Sequence, residues 1–179
     1  EGYDLCLKNR PNSISVHAAL VSNDFKDDEV YGDFAGSPSA YCSVGGWKWK
    51  KMMKNDPYLL SREMTNVPAT TITSILENNN ITDVDFWSLD TEGYELEALK
   101  GLDFSKWQPK YILVELLKFS DHPKTQWNVK DPSECNFEEV KSYLLKIGYK
   151  EPINLTEYTH DSHDQWDGLR NDWLFEWSK

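Results

Sequence analysis

Three carboxylates fall within six residues in the run Ser88-Leu89-Asp90-Thr91-Glu92-Gly93-Tyr94-Glu95. Like charges held that close are costly unless a cation, hydrogen-bond donors or water compensates. Gly93 lets the chain turn sharply at that point. Asp90 closes a segment that reads as a strand, Val84 to Leu89, and another acid, Glu115, stands near the end of a second, Tyr111 to Leu116. Acids so placed can take a proton from a hydroxyl, or accept hydrogen bonds from a ligand's hydroxyl and amino groups. Glu95 falls where a following helix would begin, meets the positive helix end, and reads as serving that helix, with Glu92 solvated. Asp90, at a strand end ahead of a glycine turn, reads as pointing into a ligand crevice.

Other groups could share the work. His17 and His122 are imidazole candidates for the same proton transfer, although a lone histidine is more often a satisfied structural residue. His160 and His163 sit in H-D-S-H-D, a polar stretch that reads as a solvated turn rather than a metal site. Magnesium would suit hard oxygen ligands at Asp90 and Glu115, but the spacing does not demand it and no metal is assigned. The patch W-K-W-K-K-M-M-K, Trp47 to Lys54, could grip an acceptor by stacking and charge, or cover the core with its lysine heads in water.

The elements that must position these groups follow from periodicity and punctuation. Residues 4–10 suggest a short helix stopped before Pro11, and Ile14 to Val21 a strand. Residues 22–66 lose all pattern and read as an irregular insertion or lid, with an edge strand near Val30 to Phe34. After Pro68, Thr70 or Thr71 can cap a helix with Ile72, Ile75 and Leu76 on one face, ended at Asn78 to Asn80. The strand Val84 to Leu89 leads to a helix bearing Leu96 and Leu99, which Gly101 stops. Tyr111 to Leu116 is apolar on both faces apart from Glu115, as in a central strand of a parallel sheet. Asn136 with Glu139 forms a cap signature for a helix carrying Val140, Tyr143, Leu144 and Ile147, ended at Gly148. Asp172 to Trp177 closes the chain as a strand. Alternating strands and helices predict an α/β domain with a largely parallel sheet, whose ligands sit beyond the carboxyl ends of its strands.

Composition narrows the function classes. The 179 residues carry a net charge of -11, which argues against nucleic acid and against anionic membranes as partners. Mean hydropathy is -0.66, and no apolar run approaches the roughly 18 residues of a membrane span. No basic, apolar, small-residue pattern is visible in the first residues, so a signal peptide is not expected among them. Cys6, Cys42 and Cys135 are too few and scattered for a disulfide framework, and read as reduced thiols of a cytoplasmic protein. Two N-x-T triplets, at Asn80 and Asn154, would matter only on secretion.

Several segments also carry a family resemblance. Val67-Pro68 with Thr70-Thr71-Ile72, then Asp85 through Glu95, then Leu99-Lys100-Gly101, resemble the FkbM family of S-adenosylmethionine-dependent methyltransferases. Ile112-Leu113-Val114-Glu115 and Asn171-Asp172-Trp173-Leu174-Phe175 look like the same family's later strands. The resemblance implies a Rossmann-like class I methyltransferase sheet, mostly parallel with an antiparallel C-terminal strand, in a three-layer αβα domain over residues 1–179. It implies methyl transfer from S-adenosylmethionine to a hydroxyl of a sugar, polyketide or other small molecule. Glu1 would bind the cofactor ribose, Ala18 would lie near the adenine, and Asp90 would stand beside the methionine part and the acceptor. Glu92 and Glu115 would line the acceptor side, so Asp90, Glu92 and Glu115 are the catalytic candidates.

One departure shapes the alternatives. The family's first strand and its loop, in outline D-x-G-A-x-x-G, should precede Glu1, and Gly45-Gly46 is no substitute. The expectation is a preceding segment on the order of 40 to 80 residues, without which a parallel sheet would have a gap. The competing class is a methyltransferase-like fold kept as a structural or interaction subunit of a larger assembly; homo-oligomerisation is left open. A different nucleotide-binding α/β domain is weak, because no phosphate-cradling loop is present.

Overall fold

The computed structural model describes residues 2–32, 65–119, 135–156 and 170–178. Among them the chain forms four helices and two sheets, a mixed α/β arrangement. The first helix, α1 (Gly2–Asn9), stops ahead of Pro11. Strands β1 (Ala19–Leu20), β2 (Glu29–Gly32) and β3 (Thr65–Thr70) follow, in the sheet order β1-β3-β2. β1 runs parallel to β3 and β2 antiparallel to it.

Two features of this sheet differ from the sequence reading. Of the apolar run Ile14 to Val21, only Ala19 and Leu20 are laddered, while Ile14 and Val16 stay exposed. β-branching favours extended backbone, but a strand needs a partner, and β3 supplies one only there. β3 itself went unforeseen because Pro68 lies in its middle and has no N–H to give. The ladder continues past it: the Ala69 N–H donates to the Asp28 carbonyl at 2.8 Å, and the Val21 N–H to the Thr70 carbonyl at 2.9 Å.

Helix α2 (Ile72–Asn78) starts where expected, the Thr71 hydroxyl accepting the Ser74 N–H at 3.0 Å. Its Ile72 and Leu76 pack with Leu102 and Trp107. The second sheet is built from β4 (Phe86–Leu89), β5 (Tyr111–Leu117), β6 (Ile153–Asn154) and β7 (Arg170–Glu176), in the order β4-β5-β7-β6. Helix α3 (Glu95–Lys100) carries the chain from β4 to β5, and α4 (Phe137–Ile147) follows β5. Such a crossover is what parallel pairing requires, and β4 and β5 are parallel.

The last strand is antiparallel to β5, as the resemblance implied. The single, mostly parallel sheet is not what the described residues form. They make two sheets, and β2–β3, β5–β7 and β6–β7 are all antiparallel. β5 also alternates instead of being covered equally on both faces. Ile112, Val114 and Leu116 are fully buried, whereas Tyr111, Leu113 and Glu115 are half-buried. Ala98 and Leu99 of α3 and Val140 and Leu144 of α4 pack on the buried face with Phe175. Each large side chain so buried contributes about 1.5–3 kcal/mol. Gly148, at φ 127°, ends α4 in a conformation few other residues adopt cheaply.

The chain just past β1 meets the end of α3 at Gly101. Its backbone is right-handed, at φ -80°, so its missing side chain does not serve a left-handed helix end. A Cβ there would lie 2.2 Å from the Val21 carbonyl oxygen, just past β1. The Gly101 carbonyl accepts from Thr73 N–H at 3.1 Å and from the Thr73 hydroxyl at 2.9 Å. Beside it the Asn23 N–H donates to the Lys100 carbonyl at 3.3 Å. Among the described residues no helix is long and apolar enough to cross a membrane.

Candidate functional site

The registers of β4, β5 and β7 assemble the acids. Leu89 stands beside Val114 in the parallel ladder, so the next step brings Asp90 level with Glu115. In the antiparallel ladder Glu115 faces Asp172. Strand alternation turns Leu89 and Val114 into the core and sends Asp90 and Glu115 to the other face. The chain past Asp90 then bends back. Glu92 takes a left-handed φ of 54° and Gly93 one of 99°, which brings the Glu92 carboxylate alongside.

One carboxylate oxygen from each of Asp90, Glu92 and Glu115 lies within 4.8 Å of the others. Asp90 is exposed, and Glu92 and Glu115 are half-buried. A small cavity opens beside them, lined by Glu92, Gly93, Glu95, Glu115, Leu117 and Asn136. All three predicted catalytic residues are therefore brought together. Ala18 is half-buried just ahead of β1. His17 is exposed, stacks on Tyr3 at 5.1 Å between ring centroids, and is not among the converging groups. Glu1, Gly45-Gly46, Trp47 to Lys54, His122, His160 and His163 lie outside the described residues.

Two residues behind the cluster do something the sequence did not announce. Glu95 is not a surface acid at a helix end: it is 1% exposed. Its Oε1 accepts from the Thr91 N–H at 3.1 Å, the Thr91 hydroxyl at 3.2 Å and the Gly93 N–H at 2.8 Å. Its Oε2 accepts from Asn136 Nδ2. Asn136 does stand at the N-cap of α4, but its side chain makes no cap bond. Its Oδ1 instead accepts the Leu117 N–H at 2.9 Å. A buried carboxylate is tolerable only when donors surround it, and here they come from the turn and from α4. Asp172, opposite Glu115, is a further acid on this edge that only the β5–β7 register could reveal.

The edge as a whole presents acceptor-only groups, suited to holding hydroxyl or cationic nitrogen donors and to receiving a proton. Around it, burial raises the Tyr94 phenol above its ordinary value, with Glu97 adding to the effect. No curated protein and no solved structure matches the chain. The model of the methyltransferase FkbM domain matches residues 5–151, and the chain belongs to that family of methyltransferases.

Proposed function

We propose that the chain is an S-adenosylmethionine-dependent O-methyltransferase acting on a hydroxyl of a sugar, polyketide or other small molecule. In this reading the two sheets belong to a Rossmann-like, three-layer αβα domain whose carboxyl edge is the catalytic one. The observation that carries the reading is the convergence of Asp90, Glu92 and Glu115 at the ends of parallel strands in an FkbM-family chain.

The donor set suits the cofactor. S-adenosylmethionine presents a sulfonium, an ammonium and ribose hydroxyls, and anionic acceptor groups complement all three. When bound, it supplies an electrophilic methyl group. Asp90 would hold the amino-acid end, with Glu1 assigned to the ribose and Ala18 to the adenine side by resemblance alone. Glu92 and Glu115 would orient the acceptor hydroxyl, and one carboxylate oxygen would take its proton as the oxygen attacks. Much of the rate in such a transfer comes from holding the reacting atoms in line, which suits groups fixed by a sheet edge.

Titration of S-adenosylhomocysteine into the full-length protein by calorimetry tests this. Saturable binding, weakened about tenfold by Asp90→Asn, a loss of about 1.4 kcal/mol, is the expected result. No binding, with stable co-purification in a larger assembly, would instead establish the interaction-subunit reading.

A further inference from the structure

We infer that Glu95 and Asn136 are positioning residues for the site, a buried pair that holds the carboxylate turn in the geometry methyl transfer uses. The inference rests on the function proposed above, but the mechanical part stands on the hydrogen bonds alone. Glu95 gathers three donors from Thr91 and Gly93, the residues flanking Glu92. Asn136 links that carboxylate to the Leu117 N–H, two residues beyond Glu115 on β5. The pair thus ties the turn carrying Asp90 and Glu92 to the strand carrying Glu115.

The polarity of every link is fixed. The turn offers two backbone amides, which only donate, so the atom facing it must accept, and the Leu117 N–H needs an acceptor too. Between them the Glu95–Asn136 contact needs one donor and one acceptor. Left-handed backbone at Glu92 is costly for a residue with a Cβ and persists only where surroundings over-determine it. The two amides held by Glu95 flank that residue.

This polarity supplies a test by transposition. In Glu95→Gln the new amide nitrogen faces the Asn136 amide nitrogen, donor against donor. In Asn136→Asp two carboxylates face each other. In the double variant the side-chain amide introduced by Glu95→Gln keeps its oxygen on the turn and donates to the new carboxylate, whose other oxygen takes the Leu117 N–H. Every bond is restored with the charge moved from one member of the pair to the other.

The experiment uses the full-length protein and two readouts: amide hydrogen exchange at Thr91, Gly93 and Leu117, and S-adenosylhomocysteine affinity. Each single variant should speed exchange at these amides about tenfold or more and weaken binding to a similar extent. The double variant should return both to within about threefold of wild type. Single variants that do not fold while the double variant folds give the same support. Single variants with unchanged exchange, or a double variant no better than either, overturn the inference. Protection that is lost and rescued while affinity never changes makes the pair merely structural and overturns the positioning role. If the wild type itself binds no S-adenosylhomocysteine, the functional reading falls, and the exchange rescue still decides whether the pair fixes the turn.

Discussion

Gly101 offers a prediction in which two explanations differ in sign. A glycine after a helix usually supplies a left-handed residue, but Gly101 has φ -80° and ψ -7°. Alanine fits that backbone, so conformational entropy alone would make Gly101→Ala stabilising by about 0.4–1 kcal/mol. The packing says the opposite. An added Cβ would sit 2.2 Å from the Val21 carbonyl oxygen and 3.1 Å from that of Ala98. The first contact is about 1.2 Å inside ordinary van der Waals distance, and both neighbours are backbone that cannot rotate away. Relief requires moving β1 off α3, which strains the Asn23–Lys100 and Val21–Thr70 hydrogen bonds. Overpacking of about 1–3 kcal/mol, with about 1 kcal/mol for each of the two weakened bonds and less the entropy gain of about 0.4–1 kcal/mol, gives about 2–4.5 kcal/mol of destabilisation. For a chain this size that is on the order of 10 °C in melting temperature. Thermal and urea unfolding of Gly101→Ala and Gly101→Asn would measure it. Asn tolerates left-handed backbone, so a helix-end role would spare it; the close approach predicts that both variants fail together. An alanine variant melting at or above wild type would refute the argument.

Two further substitutions follow from the same coordinates. Glu92→Gly removes a side chain from a left-handed residue, a relief of about 1–2 kcal/mol set against about 0.5–1 kcal/mol of extra chain entropy. The variant should be as stable as wild type or up to about 1 kcal/mol more so, while S-adenosylhomocysteine affinity or methyl transfer falls; a large drop in melting temperature would contradict this. Tyr149 donates its hydroxyl to the Pro109 carbonyl at 2.8 Å, and burial pushes its phenol well above the ordinary range. The folded protein therefore keeps a proton that the unfolded chain releases. That stabilisation is complete below about pH 10 and shrinks as pH climbs from there toward the folded value. Wild type should lose urea resistance above pH 10 more steeply than Tyr149→Phe, since the raised Tyr94 and Tyr143 phenols are common to both. Equal slopes would remove Tyr149 from the account.

The legible parts of the fold were those with a local cause. Thr71 caps α2, Gly148 ends α4, and Val140 and Leu144 fall on its buried face, all within a few residues of the signal that announces them. β3 was hidden because Pro68 reads as a break, and what rescues the strand is its neighbours' bonds. The alternation of β5 was masked by a run of apolar residues that are not equally buried. The candidate acids were visible as strand-end carboxylates, and Asp90 and Glu115 needed only the parallel register to meet. Glu95 and Asn136 were each given a local explanation, a helix dipole and a helix cap. Besides the turn and the Leu117 N–H they bond each other, 41 residues apart, and no local pattern encodes a bond across that separation. Asp172 stayed hidden for the same reason, its place opposite Glu115 being a property of the ladder.

What sets residues 90–95 apart is that several local rules fail there together. Elsewhere such failures stand singly, as where Asn136 makes no cap bond or Gly101 ends a helix with right-handed backbone. Here a residue with a side chain takes a conformation better suited to glycine, and a carboxylate is buried behind three that converge. Two like charges within 4.8 Å of each other repel by roughly 1–3 kcal/mol or more between the limits of water and a protein surface. A segment shaped by stability alone would place glycine or asparagine at position 92 and a neutral residue at 115. Departures of this kind gather at functional sites because the binding of a ligand offsets them. The ligand that would offset these brings positive charge and hydroxyl donors to a sheet edge. A sulfonium with its amino group, together with a hydroxylated acceptor, matches that description. Amide substitution at one of the three carboxylates should therefore weaken the complex far more than it changes the melting temperature of the apo protein, a separation that a generally destabilising substitution does not produce.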